Sequence, residues 1–234
     1  MKKAITGLAA AGLLTLSSTA AVADALRLQI LHMNDHHSHL APESFDLDTS
    51  GLDLQETKSD GMPIEEVEVT YGGFPNMVSL FQRLEKGRAN TIKIHAGDAI
   101  TGTLYYSLFS GEADAALMNE ICFDVFALGN HEFDDGDTGL ANFLDFLTNR
   151  NDLNNSDTCN TEVLAANVVP GEDSPIRDKI QPYTIVQLPG GEVGVIGIDI
   201  AQKTKVSSNP DEGTEFLDET ETAQFYIDEL SAQG

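Results

Sequence analysis

Apolar runs alternate with amphipathic stretches along the chain, and this alternation predicts a mixed α/β fold. Short β-rich runs occupy residues 26–33, 91–96, 124–128 and 162–169, and polar or glycine residues bound each of them. Apolar side chains recur at helical spacing in four other segments: 72–87, 111–121, 136–150 and 217–234. Because strands that alternate with helices are usually joined by right-handed crossovers, we expect a parallel sheet.

Two further segments do not follow this alternation. Residues 183–200 contain two apolar runs around a Pro-Gly-Gly turn, which predicts a β-hairpin. Residues 41–70 are acidic and have no steady period, which indicates a surface excursion with one short strand at 65–70. The aromatic side chains that follow the second predicted strand are expected to pack in the core: Tyr105, Tyr106 and Phe109.

The first residues have the pattern of a secretory signal peptide. Lys2 and Lys3 precede an apolar stretch that is too short to span a membrane stably, and a small-x-small triplet lies at 21–23. We expect cleavage after Ala23, and the alternative is an uncleaved N-terminal anchor. The remaining chain, 24–234, would then be periplasmic or secreted and have no stable membrane anchor.

The formal net charge of −25 narrows the range of partners. A strongly acidic surface repels phosphate backbones, so nucleic-acid polymers are not expected to bind. The same field disfavours a nucleotide substrate unless bound cations reverse it locally. The sequence leaves the oligomeric state open.

Export would also make a disulfide permissible. The chain has two cysteines, Cys122 and Cys159, and both flank predicted strands that we expect to be neighbours in the sheet. A single structural bridge is therefore the favoured prediction. Two buried free thiols are the alternative, because the sequence does not measure the distance between them.

Short polar clusters follow three of the predicted strands. Asp35 and His37 come after the first strand, Asp98 after the second, and Asn130 and His131 after the third. The carboxyl ends of parallel strands meet at one edge of a sheet, where ligands gather. In an extended backbone, Asp35 and His37 would also point to the same side. Such oxygen and imidazole groups suit two divalent ions, for example Zn, Mn or Co.

The other histidines and one glutamate have plainer expected roles. His32 lies within a predicted strand and is expected in the core, His36 points away from the first polar cluster, and His95 packs near the second. His39 falls on the side of the first cluster, where it either orients a metal ligand or is a solvated loop residue. Glu132 is expected to be a structural hydrogen-bonding residue.

At these positions the chain resembles the calcineurin-like metallophosphoesterases. Asp35-His36-His37, Gly97-Asp98 and Gly129-Asn130-His131-Glu132 follow the family signature D-x-H, G-D and G-N-H-E in order. The flanking segments ILHMNDHHSHL, YGGFPNMVSLFQRL, HAGDAITGT and FALGNHEFD are similar to the periplasmic 5′-nucleotidase/UDP-sugar hydrolase branch. The similarity covers about residues 26–234, and it implies the family's four-layer αββα sandwich in incomplete form.

The resemblance also implies a role for each residue of the site. The implied ligands of two divalent ions are Asp35, His37, Asp98, which would bridge both ions, and Asn130. A metal-activated hydroxide would attack phosphorus. His131 would approach the leaving oxygen, and Asp134 would orient it.

By this resemblance the protein is an exported enzyme of the 5′-nucleotidase type that releases phosphate from small-molecule nucleotides. The family completes its metal site with three further histidines from later in the chain, whereas the six histidines here lie at or before His131. We therefore expect 24–234 to be the N-terminal portion of the catalytic domain, without the C-terminal nucleotide-binding domain, and to be inactive as a fragment. Two alternatives stay open: a truncated non-catalytic protein that binds metal or a partner, and the same chemistry on a cyclic phosphodiester or sulfur ester.

Overall fold

The computed structural model describes residues 26–52, 58, 61–62, 64–148 and 159–233. The predicted signal peptide, 1–23, lies outside these residues. Within the described part of the chain, no helix combines the length and the apolar character that crossing a membrane requires.

The described elements alternate between strands and helices, as the sequence predicts. The strands are β1 (Gln29–Met33), β2 (Glu43–Asp48), β3 (Glu66–Tyr71), β4 (Thr91–His95), β5 (Val125–Ala127), β6 (Glu162–Leu164), β7 (Val168–Val169), β8 (Tyr183–Leu188), β9 (Gly191–Ile196) and β10 (Glu215–Phe216). The helices are α1 (Phe74–Glu85), α2 (Leu104–Phe109), α3 (Glu112–Ile121), α4 (Gly136–Thr148), α5 (Ala201–Ser207) and α6 (Glu219–Gln233), with a 3-10 turn at Asn130–Phe133.

Four of these strands form a parallel sheet in the order β1-β4-β5-β6. Ile30 lies opposite Ile92, and Phe126 lies opposite both His95 and Val163. Because the strands are parallel neighbours, the loops after β1, β4 and β5 leave the sheet at the same edge. The mixed α/β fold with a parallel sheet is therefore confirmed.

The main core lies where α1, α3 and α4 cover the sheet. Phe81, Met118, Phe126 and Leu144 are all at most 3% exposed. The Phe126 ring packs edge-on against Phe143 of α4, with ring centroids 5.6 Å apart. Full burial of side chains of this size contributes about 1.5–3 kcal/mol each, so this layer holds the sheet edge in place.

Two antiparallel hairpins lie outside the parallel sheet. The β8-β9 pair is the hairpin predicted at 183–200. The β2-β3 pair is only half predicted, because the sequence indicated a strand at 65–70 and none at β2. All six residues of β2 are exposed, so this strand lacks the buried apolar positions from which sequence patterns are read.

The single strand predicted at 162–169 is wrong, because the chain breaks there into β6 and β7. The buried side chain of Asn167 occupies the break. Its amide nitrogen donates to the carbonyls of Asp199 (2.9 Å) and Leu217 (3.3 Å), and its oxygen accepts the Asp199 N–H (2.8 Å). Such side-chain bonds to backbone compete with strand pairing and redirect the chain.

Two predictions of buried residues are also wrong. Tyr105 and Phe109 lie on α2, which has no buried residue, and they are 38% and 46% exposed. Tyr106, on the same helix, is half-buried and donates from its hydroxyl to Asp135 (2.5 Å). His32 is exposed because it lies on the outer face of β1, which is an edge strand of the described sheet.

Cys122 and Cys159 form a disulfide, and their Cα atoms are 5.3 Å apart. Cys122 caps the end of α3 in a left-handed conformation, and Cys159 lies shortly before β6. The bond therefore links the entries of β5 and β6, which are neighbours in the sheet.

Candidate metal centre

The loops after β1 and β4 are bonded to each other directly. The backbone N–H of Asp35 donates to the Gly97 carbonyl (3.0 Å), and that of His37 donates to the Asp98 carbonyl (3.2 Å). These bonds continue the pairing of the two strands beyond their ends. The first two polar clusters are thereby fixed side by side.

Three residues of these clusters have left-handed backbone conformations. The φ angles are 53° at Asp35, 44° at His37 and 53° at Asp98. The extended geometry predicted for Asp35 and His37 is therefore wrong, although their side chains do meet. Non-glycine residues in such conformations cost about 1–3 kcal/mol each and persist only where surrounding contacts enforce them.

The loop after β5 packs closely against the loop after β4, and the contact is made at two glycines. A Cβ atom added to Gly97 would be 2.5 Å from the Gly129 nitrogen, and one added to Gly129 would be 2.5 Å from Asp98 Oδ1. Gly97 also has a φ of +93°. Only glycine allows the backbones to approach this closely, which explains the Gly-Asp and Gly-Asn pairs of the sequence.

Glu132 connects the loops after β4 and β5 by hydrogen bonds. Its buried carboxylate accepts the backbone N–H groups of Asp98 (2.8 Å), Ala99 (2.7 Å) and Gly129 (2.7 Å). Burial and the nearby Asp98 charge raise the pKa of Glu132 to about 7, against the opposing effect of these three hydrogen bonds. The structural role predicted for this residue agrees with these contacts.

The side chains of His37, Asp98 and His131 lie close together at these loops. Each offers a ligand atom, and these atoms lie within 4.8 Å of one another. The rings of His37 and His131 pack edge-on, with their centroids 4.8 Å apart. Asp98 Oδ1 accepts the His131 backbone N–H (2.9 Å). Imidazole and carboxylate groups at these separations fit a divalent transition-metal ion.

The other two predicted ligands flank this group. Asp35 is exposed, and its Oδ1 lies 3.6 Å from His37 Nε2. Asn130 is buried at the start of the 3-10 turn, where its amide nitrogen lies 3.4 Å from the Ser208 hydroxyl. The predicted orienting residue His39 is exposed, and its Nδ1 lies 3.2 Å from the His36 carbonyl.

His131 and Asp134 form a close pair at the rim. His131 Nδ1 lies 2.7 Å from Asp134 Oδ2. Burial acts to lower the pKa of His131, but the hydrogen bond and charge of Asp134, with the charges of Asp98 and Glu132, raise it overall. The bond places a proton on Nδ1, so Nε2 is the ring nitrogen that remains available.

Asp199 is a second buried acid near the site that sequence reasoning missed. Thr204 donates to one of its oxygens (2.6 Å), and the other oxygen is buried without a hydrogen-bond partner. Burial raises the pKa of Asp199 to about 6, and the charges of Asp98 and Glu219 add to this effect against the Thr204 hydrogen bond. Its position in an apolar strand run, VIGIDI, gave no signal of a polar environment.

Residues 28–219 match the model of the calcineurin-like phosphoesterase family. The chain belongs to this family. The matched range includes the loops after β1, β4 and β5, which carry the residues on which the resemblance rested. Solved structures of an NAD nucleotidase and of a 5′-nucleotidase precursor are similar to this metallophosphoesterase, and they support the family's fold for the chain.

Similar proteins include a probable 5′-nucleotidase of Treponema pallidum, 41% identical over 88% of this chain and 31% of the relative. The NAD 5′-nucleotidase of Haemophilus influenzae is 41% identical over 90% of this chain and 31% of the relative. A solved structure of the Haemophilus influenzae NAD nucleotidase has a TM-score of 0.73, 40% identity, and coverage of 88% and 32%. A 5′-nucleotidase precursor from Thermus thermophilus has a TM-score of 0.70 at 33% identity, with coverage of 88% and 35%. The chain thus spans about a third of the length of these relatives.

Proposed function

We propose that this chain supplies part of the metal site of an exported, metal-dependent phosphohydrolase of the 5′-nucleotidase type. The observation that carries the proposal is the convergence of His37, Asp98 and His131 at the exits of three strands. Asp35 and Asn130 flank this group, and with His37 and Asp98 they form part of a donor set for two divalent ions of the Zn, Mn or Co class. When bound, such ions supply a nucleophile from water and stabilise charge on the phosphoryl oxygens.

The side chains of this chain divide the remaining work. Asp98 presents its carboxylate close to the two histidines. Its backbone N–H donates to Glu132, and its Oδ1 accepts the backbone N–H of His131. His131 acts as general acid toward the leaving oxygen, and its raised pKa favours the protonated form that this role needs. Asp134 orients the His131 ring and holds the proton on Nδ1.

The proposed substrates are nucleotides. Both 41%-identical relatives are called 5′-nucleotidases, one of them an NAD 5′-nucleotidase, which supports a mononucleotide or a dinucleotide with a phosphoester at the 5′ carbon. Bound cations would offset the repulsion between a nucleotide and a chain of net charge −25. Export is proposed from the N-terminal pattern at 1–23 and from a structural relative described as a precursor.

The proposal is tested with the complete natural protein, incubated with AMP or NAD in the presence of Mn²⁺ and, separately, after removal of metal by a chelator. We expect phosphate release from AMP, or cleavage of NAD, that the chelator abolishes and Mn²⁺ restores. A phosphodiester such as bis(p-nitrophenyl) phosphate serves as the substrate control. Hydrolysis of the diester alone, or activity that survives the chelator, would overturn the proposal.

A further inference from the structure

A row of three buried polar side chains runs behind the candidate metal centre. His95 Nε2 lies 2.9 Å from His36 Nδ1, and His36 Nε2 lies 3.1 Å from Asp114 Oδ1. The exposed fractions are 0% for His95, 8% for His36 and 0% for Asp114. The row joins the ends of β1 and β4 to the first turn of α3.

The hydrogen bonds fix where each proton lies. The backbone N–H of Gly97 donates to His95 Nδ1 (3.3 Å), so His95 carries its proton on Nε2. That proton is donated to His36 Nδ1, and the proton of His36 must then lie on Nε2. His36 donates it to the Asp114 carboxylate, so the row runs in one direction from a backbone N–H to an acid.

The row lies next to the loops after β1 and β4, whose backbone is strained. His36 lies between Asp35 and His37, both of which have positive φ, and His95 precedes the Gly97-Asp98 turn, where φ is also positive. The His36 and His95 side chains therefore connect the two loops that carry the candidate ligands of β1 and β4. Strained backbone of this kind holds its geometry only when neighbouring contacts enforce it.

These residues do not form a site of their own. The side chains are almost fully buried, so no substrate can reach them. The 2.9 Å separation of the His36 and His95 nitrogens is shorter than two imidazoles adopt around a tetrahedral zinc ion with Zn–N bonds of about 2.0–2.1 Å. Their effect must be exerted through the loops to which they belong.

We propose that His95, His36 and Asp114 are positioning residues that set the distance between the metal-binding loops after β1 and β4. This inference rests on the proposed function, because it assumes that these loops bind divalent ions. Partners that orient metal ligands from outside typically change metal affinity or activity by about 10–100-fold when they are removed. Loss of the row should therefore weaken metal binding without unfolding the protein.

The surroundings of His95 offer a suitable variant. Its ring lies 5.4 Å from Phe123 and 5.5 Å from Phe126, so a phenylalanine at this position would join an aromatic cluster. His95→Phe thus removes the hydrogen bonds and keeps the packing. At the other end, Asp114→Leu removes the acceptor, whereas Asp114→Asn keeps an oxygen that can accept from His36.

The experiment is calorimetric titration of Mn²⁺ into the complete natural protein after removal of metal. We expect His95→Phe and Asp114→Leu to raise the dissociation constant for Mn²⁺ by about 10–100-fold. Asp114→Asn should stay close to the parent value. The double variant His95→Phe/Asp114→Leu should have a dissociation constant for Mn²⁺ no higher than that of the weaker-binding single variant, because either change already breaks the row.

A matched control separates positioning from general destabilisation. Leu144→Ala creates a cavity in the hydrophobic core where α4 packs. It should therefore lower the melting temperature and leave the dissociation constant for Mn²⁺ unchanged. Folded His95→Phe and Asp114→Leu proteins that bind Mn²⁺ like the parent would overturn the inference. If one of them does not fold, a comparison of the other with Asp114→Asn decides. A parent that binds Mn²⁺ but hydrolyses no nucleotide would instead refute the proposed function alone.

Discussion

The backbone N–H of Asp98 donates a 2.8 Å hydrogen bond to the buried carboxylate of Glu132, 34 residues further along the chain. The same carboxylate binds the N–H of Gly129, immediately before Asn130 and His131. One acidic side chain thus holds the second and third polar clusters of the sequence in a common frame. This frame explains why the two motifs, separated along the chain, present their side chains at one place.

Replacement of Glu132 by glutamine tests this frame. The new NH₂ group would face a backbone N–H in place of an acceptor. Because burial and the Asp98 charge raise the pKa of Glu132 to about 7, its carboxyl is protonated in the folded protein at about pH 4.5, and the substitution removes no buried charge there. We therefore expect the free energy of unfolding at about pH 4.5 to fall by about 1–3 kcal/mol. Urea unfolding measures the change. Glu120→Gln, at an exposed position of α3, is the matched control and should stay within about 0.5 kcal/mol of the parent. Equal midpoints for Glu132→Gln and the parent would contradict the account.

His131 provides a prediction about the leaving group. If it protonates the leaving oxygen, His131→Gln should lower kcat for AMP by about 10²–10⁴-fold, because general acid catalysis contributes that much. The loss should be much smaller for p-nitrophenyl phosphate, whose leaving group needs little protonation. Steady-state kinetics on both substrates measures the difference. An equal loss on both would show that His131 acts in another way, for example as a metal ligand.

Asp199 makes the stability of the metal-free protein depend on pH. Its pKa is about 6 in the folded protein, above the ordinary value of 3.8 expected for the unfolded chain, so the folded protein binds this proton more tightly. The stabilisation is complete below pH 3.8 and is lost as the pH rises through about 6. At about 1.36 kcal/mol per pKa unit, the loss is about 3 kcal/mol.

Asp199→Asn should remove this dependence. We expect urea unfolding in a chelator to give similar stabilities for variant and parent at about pH 3.5, and a more stable variant at about pH 8. Because Glu132 also has a raised pKa, the difference between the two proteins, rather than the slope of either, isolates Asp199. A difference that is the same at both pH values would refute the prediction.

The disulfide provides a prediction about stability alone. Cys122 and Cys159 are 37 residues apart. Closing a loop of this length lowers the conformational entropy of the unfolded chain, which stabilises the folded protein by about 3–4 kcal/mol. The double variant Cys122→Ala/Cys159→Ala should lose about that much free energy of unfolding. Adding a reductant to the parent should give a similar loss and should not affect the variant. An unchanged parent under reducing conditions would contradict the prediction.

Much of the fold could be predicted from the sequence because the central elements carry strong patterns. The apolar runs of β4 and β5 and the periodic faces of α1 and α4 are local signals, and the structure has these elements where they were expected. The exposed strand β2 and the short elements α5 and β10 carry no such pattern. Tertiary contacts decide these segments, as the side chain of Asn167 does at the break between β6 and β7.

The candidate site was predictable as a set of motifs but not as a geometry. The position of His37 next to Asp98 depends on left-handed backbone that no residue pattern indicated. The presence of His131 in the same group as His37 follows from the close approach of two glycine-containing loops. The buried row behind the site was missed because it joins His95 to Asp114 through His36, across three separate elements.

The central claim is that the exits of β1, β4 and β5 together hold divalent ions for phosphoester hydrolysis. The most direct test measures the Mn²⁺ content of the complete natural protein and of Asp98→Asn, together with phosphate release from AMP by each. We expect two ions per chain in the parent, and in the variant a loss of bound metal with activity reduced by more than about 100-fold. Asn at this position keeps an acceptor for the His131 N–H, so the fold should persist. A variant that retains both metal and activity would contradict the account.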